Sequence, residues 1–258
     1  MQPSVAECAP YEVLSRIYDR WVRPANNDRM AERILEILRG TATARPSCLD
    51  VCCGTGTLAI TLADAGFAVT GIDASGGMLE VAATKVRERG LEDRITLHRL
   101  DAAHDPWPDG PFDLVTCTFD SVNYFSHDEF AAIAARARRT LRPGGMFVFD
   151  INTEHKMRSV FGNSVYAETF DDYAYIWNNA LDEPRRTITF TITMFLRNGG
   201  DAYTRHLETH RQYLHGHEAV LGVLREAGFD GMEAHDDYSE RSPRPDSMRL
   251  TYVGRSRE

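Results

Sequence analysis

Cys48-Leu49-Asp50-Val51-Cys52-Cys53-Gly54-Thr55-Gly56-Thr57-Leu58-Ala59 is a short apolar run that meets two close glycines and then a run of good helix formers. The pattern predicts strand, tight turn and helix, the first half of a nucleotide-binding crossover unit. Gly54 and Gly56 lack a Cβ, so the backbone can turn sharply and a ligand can lie against it. Alone, Gly-x-Gly-x-x-Ala also suits a plain strand-to-helix turn. Two acids sharpen the reading. Asp50 stands where a dinucleotide fingerprint continues its apolar strand. Asp73 follows a second apolar run, Phe67–Ile72, at the spacing where an acid takes a ribose hydroxyl pair.

Outward from this stretch, strands and helices alternate as far as Ile151. Helix is expected over Thr57–Ala65 and again from the N-cap Ser75 to Gly90. Strands are expected at Ala68–Ile72, Arg94–Leu100, Phe112–Phe119 and Met146–Ile151, the last entered by an Arg142-Pro-Gly-Gly145 turn. Ser126-x-x-Glu129 is a capping box ahead of Phe130, Ile133, Ala134, Ala137 and Leu141. Upstream, Tyr11–Trp21 reads as one amphipathic helix, Asn27-Asp28 starts a second, and Gly40–Pro46 is a loop. Such alternation demands a parallel sheet with right-handed crossovers. After Ile151 the rhythm changes. Val165–Leu214 holds long alternating runs such as Thr187–Phe195, separated by Asp-Glu-Pro and Asn-Gly-Gly, which predict three or four antiparallel strands. A helix ending at Gly228 then returns the chain to two last strands, Phe229–His235 and Met248–Val253. Arg241–Asp246 reads as a flexible polar loop. The fold class is α/β: a Rossmann-like, mostly parallel seven-stranded sheet with an inserted antiparallel β subdomain.

A chain of 258 residues accommodates one large α/β domain with an insert. Its formal charge of −9 argues against a broad basic face for nucleic acid and favours a small-molecule partner. No apolar stretch reaches the ~20 residues that span a bilayer, and Met1–Ala6 shows no signal pattern. Five cysteines, two of them adjacent, suggest no disulfide framework, so a reducing cytoplasm is the default. A homo-oligomer stays open.

Asp50-Val-Cys-Cys-Gly-Thr-Gly56 followed by Gly71-Ile-Asp73-Ala-Ser75 resembles the first two motifs of class I S-adenosylmethionine (SAM) dependent methyltransferases. That resemblance implies SAM over the carboxyl ends of the strands. Gly54, Thr55 and Gly56 would face its methionine part with Asp50 beneath. Asp73, with Ala74 and Met78, would hold the ribose side. Asp101 and the Ala102 amide would meet the adenine, Tyr18 would also bind the cofactor, and Phe119–Tyr124 would flank the sulfonium and the acceptor. Tyr11, Tyr18-Asp19, the Phe119–Tyr124 strand end and Glu208-Thr-His210-Arg211 further resemble amino-sugar N-methyltransferases of antibiotic pathways. Some of those carry histidine at the position of Tyr124. Phe149–Lys156 and Tyr173–Trp177 also resemble uncharacterised bacterial methyltransferases with an antiparallel insert. The implied division is an N-terminal helical lid over 1–46, a SAM-binding core over 47–164, an acceptor-binding insert over 165–215, and a C-terminal return to the core sheet over 216–258.

Glu208 and His210 lie two apart in an expected strand and so share a face. They are candidate catalytic residues with Tyr11: Glu208 orients His210, or both bind a polar acceptor and help remove its proton. Asn123, Tyr124, Tyr175, Trp177 and Arg211 are candidate acceptor contacts. The spacing of His206, His210, His215 and His217 matches no common zinc pattern, so no metal is expected. Several readings remain open here: N-methylation of a small amine, O-methylation, a SAM-binding protein without catalysis, and an NAD-dependent dehydrogenase sharing the glycine turn. Asp120-Ser-Val-Asn123 stands where a nucleic-acid N-methyltransferase would want Asn/Asp-Pro-Pro-aromatic.

Overall fold

A computed structural model describes residues 7–22, 24–38 and 46–256, with side chains from Asp28 onward in the second segment. Met1–Ala6 and most of the expected Gly40–Pro46 loop lie outside the described residues. In chain order the elements are β1 (Glu7–Cys8), α1 (Tyr18–Trp21), α2 (Pro24–Ile37), β2 (Ser47–Val51), α3 (Thr57–Asp64), β3 (Ala68–Asp73), α4 (Gly76–Arg89), β4 (Ile95–Arg99), β5 (Phe112–Cys117), α5 (His127–Thr140), β6 (Leu141–Asn152) and α6 (Glu154–Lys156). They continue with β7 (Val165–Thr169), β8 (Tyr173–Asp182), β9 (Thr187–Arg197), β10 (Tyr203–Tyr213), α7 (His217–Glu226), β11 (Phe229–Asp236) and β12 (Arg249–Ser256).

Seven strands form one sheet in the order β11-β12-β6-β5-β2-β3-β4. Strands β6 through β4 run parallel, and β12 is antiparallel to both its neighbours. Both faces are covered, which is why Cys48, Leu49 and Val51 of β2 and Leu114, Val115 and Cys117 of β5 are apolar and buried on either face rather than on one. On one side Phe130, Ile133 and Val220 from α5 and α7 pack on Val115, Phe147 and Phe149. On the other, Ile34, Leu58 and Val86 from α2, α3 and α4 pack on Cys48, Val69 and Leu114. Each large side chain so buried contributes roughly 1.5–3 kcal/mol. The capping box opens α5 as the sequence predicts: the Ser126 amide donates to Glu129 at 2.7 Å, and the Glu129 amide to Ser126 Oγ at 3.4 Å.

The antiparallel runs form a second sheet, β1-β10-β9-β8-β7. Strand β9 shows the alternation directly: Ile188, Phe190, Ile192 and Met194 are buried, and the threonines between them point the other way. Ile192 and Met194 pack under Val13, Leu14 and Ile17, so this sheet is the floor beneath the N-terminal segment.

Three expectations need correction. Tyr11–Trp21 is not one helix. It is a left-handed residue at Tyr11 (φ 63°), a 3₁₀ turn over Leu14–Arg16 and the single turn α1. The amides of Tyr11, Val13 and Leu14 bond the Glu208 carboxylate at 2.9, 2.7 and 3.0 Å, in place of a regular helical pattern. Helix α2 starts at Pro24, before Asn27, because proline's fixed φ suits a first helical turn. Arg142–Gly145 is no separate turn but is absorbed into β6. Pairing jumps from Phe112↔Leu141 to Leu114↔Met146, a bulge that Gly144 (φ 75°) accommodates.

Candidate functional site

The carboxyl ends of β2, β3, β4 and β5 open into a cavity of about 810 Å³, roofed by Tyr11, Ser15 and Tyr18 of the N-terminal segment. That volume lies in the ~300–1,000 Å³ range of small-molecule sites. Asp50, Gly54, Thr55, Asp73 and Ala74 line its floor and near wall. Met78, Asp101, Ala102, Phe119 and Tyr124 complete it. Gly56 does not reach it: its left-handed backbone (φ 73°) starts α3, and a Cβ there would sit 3.1 Å from the Ala82 Cβ of α4. Its role is the close packing of two helices.

Each acid has its own environment. Asp73 accepts the Gly54 and Ser75 amides at 2.8 Å each, one per oxygen, which leaves lone pairs on both. Burial raises its pKa, and those two amides oppose the rise. Asp50 is buried. Its Oδ1 accepts from Thr116 Oγ1 at 2.7 Å, while its Oδ2 has no hydrogen-bond partner. Burial pushes its pKa up to about 7, against the pull of the Thr116 hydroxyl and with a smaller push from Asp73. Asp101 is more open and already engaged by the Ala103 amide at 2.9 Å and His104 Nδ1 at 3.1 Å. Burial raises its pKa, but these donors outweigh it and the net direction is down.

A latch holds the roof. Asp19 of α1 accepts from Thr55 Oγ1 at 2.6 Å and from Lys85 of α4 at 2.8 Å, and Ser75 Oγ donates to the Tyr11 carbonyl at 3.1 Å.

A methyltransferase-domain family model matches residues 48–145, from β2 through the bulge in β6. "Putative methyltransferase YqeM" of Bacillus subtilis is 30% identical over 243 residues, covering 94% of this chain and 95% of that protein. The S-adenosylmethionine-dependent methyltransferase of Clostridium acetobutylicum superposes with a TM-score of 0.85 at 27% identity, covering 96% and 99% of the two chains. The chain belongs to the SAM-dependent methyltransferases. The sugar N-methyltransferase KedS8 of Streptoalloteichus shares the fold, with a TM-score of 0.76 at 22% identity over 100% and 98% of the chains.

SAM, the cofactor of this methyltransferase, suits the cavity on two independent features. The orphaned Asp50 Oδ2 is an acceptor awaiting a donor, and SAM carries an ammonium. The lone pairs left on Asp73 match two vicinal hydroxyls, which SAM also carries.

At the end away from Asp73 the methyltransferase has a buried file of side chains. Tyr11 and Tyr124 hydroxyls meet at 2.6 Å, Tyr124 meets His210 Nδ1 at 3.0 Å, and His210 Nε2 meets Glu208 Oε2 at 3.1 Å. Burial pushes the Glu208 pKa up, but His210 and the three backbone amides outweigh it, so it falls below the usual range. Glu208 is therefore an ionised, acceptor-only group, and His210 must carry its proton on Nε2. In the Nε2–H tautomer Nδ1 accepts from Tyr124, whose oxygen is then free to accept from Tyr11. The Tyr11 oxygen is left presenting lone pairs to the cavity. Burial drives both tyrosine pKa values well above the ordinary 10, so both hydroxyls stay neutral.

His210 and Glu208 are thus brought to the site but behind the tyrosines rather than on the cavity wall. Four candidate acceptor contacts are not on that wall either. Asn123 is buried, bonding the Asn152 amide and the Asn152 and Tyr213 carbonyls, where it ties β6 to β10. Tyr175 and Trp177 of β8 pack on Trp21, each with ring centroids 5.3 Å away. Arg211 points to the opposite, exposed face of β10. Among the described residues no group of His, Cys, Asp and Glu could hold a metal: His215 bonds the Phe125 carbonyl and His217 the Tyr252 hydroxyl.

Sequence reasoning passed over the support of Phe119. Phe119 and Asp120 are both left-handed (φ 58° and 52°), with their amides on the buried Asp150 carboxylate at 2.8 and 2.7 Å. Arg249 bonds Asp150 and reaches Asp120 at 2.8 Å, Gln212 donates to Asp120 at 2.9 Å, and Tyr238 donates to Asp150 at 2.8 Å. Only the switch from apolar residues to Thr118-Phe119-Asp120 marks the place in the sequence.

Proposed function

We propose that this methyltransferase transfers its methyl group to an amine nitrogen of a small-molecule acceptor lying between Phe119 and the Tyr11–Tyr124 pair. The observation that carries the reading is the hydrogen-bonded file Tyr11–Tyr124–His210–Glu208. Its outer end, the Tyr11 oxygen, accepts an N–H and so orients the nitrogen lone pair toward the cavity. Its inner end, His210 Nδ1, takes a proton relayed through the two hydroxyls, and Glu208 stabilises the imidazolium that results. SAM when bound supplies an already activated electrophilic methyl, so the protein's work is to position the nucleophile and remove its proton. Buried tyrosine hydroxyls suit this because they pass a proton on without holding a charge.

Core residues 47–164 would hold SAM. In the 165–215 insert, β10 would serve the acceptor through His210 and Glu208, while Tyr175, Trp177 and Arg211 play no direct part. Five cysteines, none in a disulfide among the described residues, support a reducing compartment such as the cytoplasm.

The test is a radiolabelled-methyl screen of small amines, amino sugars and phenols. Label on nitrogen is expected, and label confined to oxygen would overturn the proposal. With the acceptor in hand, His210→Ala should lower turnover by about 10²–10⁴ and leave calorimetric SAM affinity unchanged. Wild-type turnover in that variant would remove the file from the mechanism.

A further inference from the structure

Phe119 is also a wall of a second cavity, of about 440 Å³, bounded by the loop between β11 and β12 and by Lys156 of α6. The loop contains the Arg241–Asp246 stretch that reads as flexible. It is instead tied down, with the Asp236 amide on the Arg241 carbonyl at 2.8 Å and the Arg244 amide on Ser247 Oγ at 3.0 Å.

The chain has only two lysines. Lys85 is paired with Asp19 at 2.8 Å. Lys156, half-buried, is not matched in this way: its Nζ donates to the neutral Asn152 Oδ1 at 2.7 Å and sits 5.0 Å over the Phe161 ring. Among the described residues no carboxylate lies within ion-pair distance of it. An ammonium has three donors, so two remain for the cavity. Burial first, and the Arg249 charge second, lower its pKa to about 8, against the smaller opposing pull of Asp120, Asp150 and Asp237.

The neighbouring charges are unevenly satisfied. Arg249 is saturated by Asp120 and Asp150, and Asp237 is held by Arg29 at 2.8 Å. Arg241 and Arg244, both more than half exposed, reach Asp236 only at 3.4 Å each, and Arg244 reaches Asp246 at 3.6 Å. Charge-assisted bonds close to ~2.7–2.9 Å, so these guanidinium groups are loosely held at the cavity mouth.

We propose that the second cavity binds an oxyanion, a carboxylate or phosphate carried by the methyl acceptor, with Lys156 as the half-buried contact and Arg241 and Arg244 closing on it. The inference rests on methyl transfer in the adjoining cavity, because the shared Phe119 places the anion directly beside that reaction.

Pyridoxal 5′-phosphate, an aldehyde bearing a phosphate, probes the site in the full chain. After brief exposure at about pH 8, borohydride reduction and peptide mass mapping, Lys156 should be labelled in preference to Lys85. Pyridoxal without phosphate should label Lys156 less. Inorganic phosphate or acetate, each against chloride at equal ionic strength, should protect Lys156, and the better protector identifies the group. Absent labelling, equal labelling by both aldehydes, or labelling that neither anion suppresses would overturn the proposal. SAM binding is measured on the same preparation. Intact SAM affinity with an unprotected Lys156 refutes the anion site alone, whereas absent SAM binding would strike at the cofactor cavity.

Discussion

Asp50 shows how one residue's position in the fold sets opposing demands. Its carboxyl ends a buried strand with one oxygen bonded to Thr116 and the other orphaned, and its pKa rises from 3.8 to about 7. Since the folded value lies above the unfolded one, its stabilising effect is fully present below pH 3.8 and is lost as pH rises through about 7. At 1.36 kcal/mol per unit that loss is on the order of 4 kcal/mol. Asp50→Asn should therefore flatten the fall in stability between pH 4 and 8 and raise the melting temperature of the SAM-free protein at the upper end. The same substitution removes the ionised acceptor, so SAM affinity should drop by roughly tenfold or more, as for loss of a hydrogen bond to a charged group. Thermal unfolding against pH, with and without SAM, checks both halves. A variant that is less stable at pH 8 would contradict the orphaned-oxygen account.

At the scale of elements, the N-terminal segment is held by partners far away in sequence. Tyr11–Leu14 surrenders three amides to Glu208 of β10, and α1 is latched through Asp19 to Thr55 in the turn before α3 and to Lys85 of α4. Tyr11 and Glu208 are 197 positions apart, so no local periodicity could reveal the contact, and the aromatic spacing of Tyr11, Tyr18 and Trp21 reads as helix. What remained legible was that Glu208 and His210 share a face of one strand. Glu208 thus does two things, stapling the roof and orienting His210. Glu208→Gln keeps the shape but turns an acceptor-only group into one that also donates. It should cost about 1–3 kcal/mol for the donors left unsatisfied and should loosen the cavity roof, so SAM affinity falls as well as turnover. Hydrogen exchange offers the check: the amides of Tyr11, Val13 and Leu14 should exchange faster, while those of β2 and β5 keep their protection. Unchanged exchange at the three amides would mean that the segment is held by its apolar contacts alone. Because the Glu208 pKa is lowered, this contribution is present above its ordinary 4.5 and is lost as pH falls through the folded value.

Across the whole molecule, the parallel sheet and the acids that line the cavity were readable because strand, turn and helix recur over short spans, and Asp50, Asp73 and Asp101 sit at the ends of such spans. The joint between the two sheets was not. Asp120 and Arg249 are 129 positions apart, Asp120 and Gln212 are 92, and nothing in the local pattern of either partner sets it apart from a surface residue. Yet Arg249 of β12 binds Asp150 of β6 and Asp120 beyond β5, Asp120 holds Gln212 of the second sheet, and Phe119 and Tyr238 cover the guanidinium with ring centroids 5.6 Å away. This cluster keeps two consecutive residues left-handed at the cavity wall, a conformation disfavoured for side chains beyond glycine. Arg249→Met should cost about 3–5 kcal/mol in urea unfolding, because it leaves the Asp150 charge buried without its counter-ion, bonded only to two amides and the Tyr238 hydroxyl. Adding Asp150→Asn to Arg249→Met should recover part of that loss, since the uncompensated charge is then gone. Recovery of stability without recovery of activity is the expected pattern, because Phe119 and Asp120 still lack the ionised carboxylate that pins their amides. If the single variant unfolds no more easily than wild type, the cluster does not join the two sheets energetically. If the double variant also regains full turnover, the left-handed pair at the cavity wall is held by something other than Asp150.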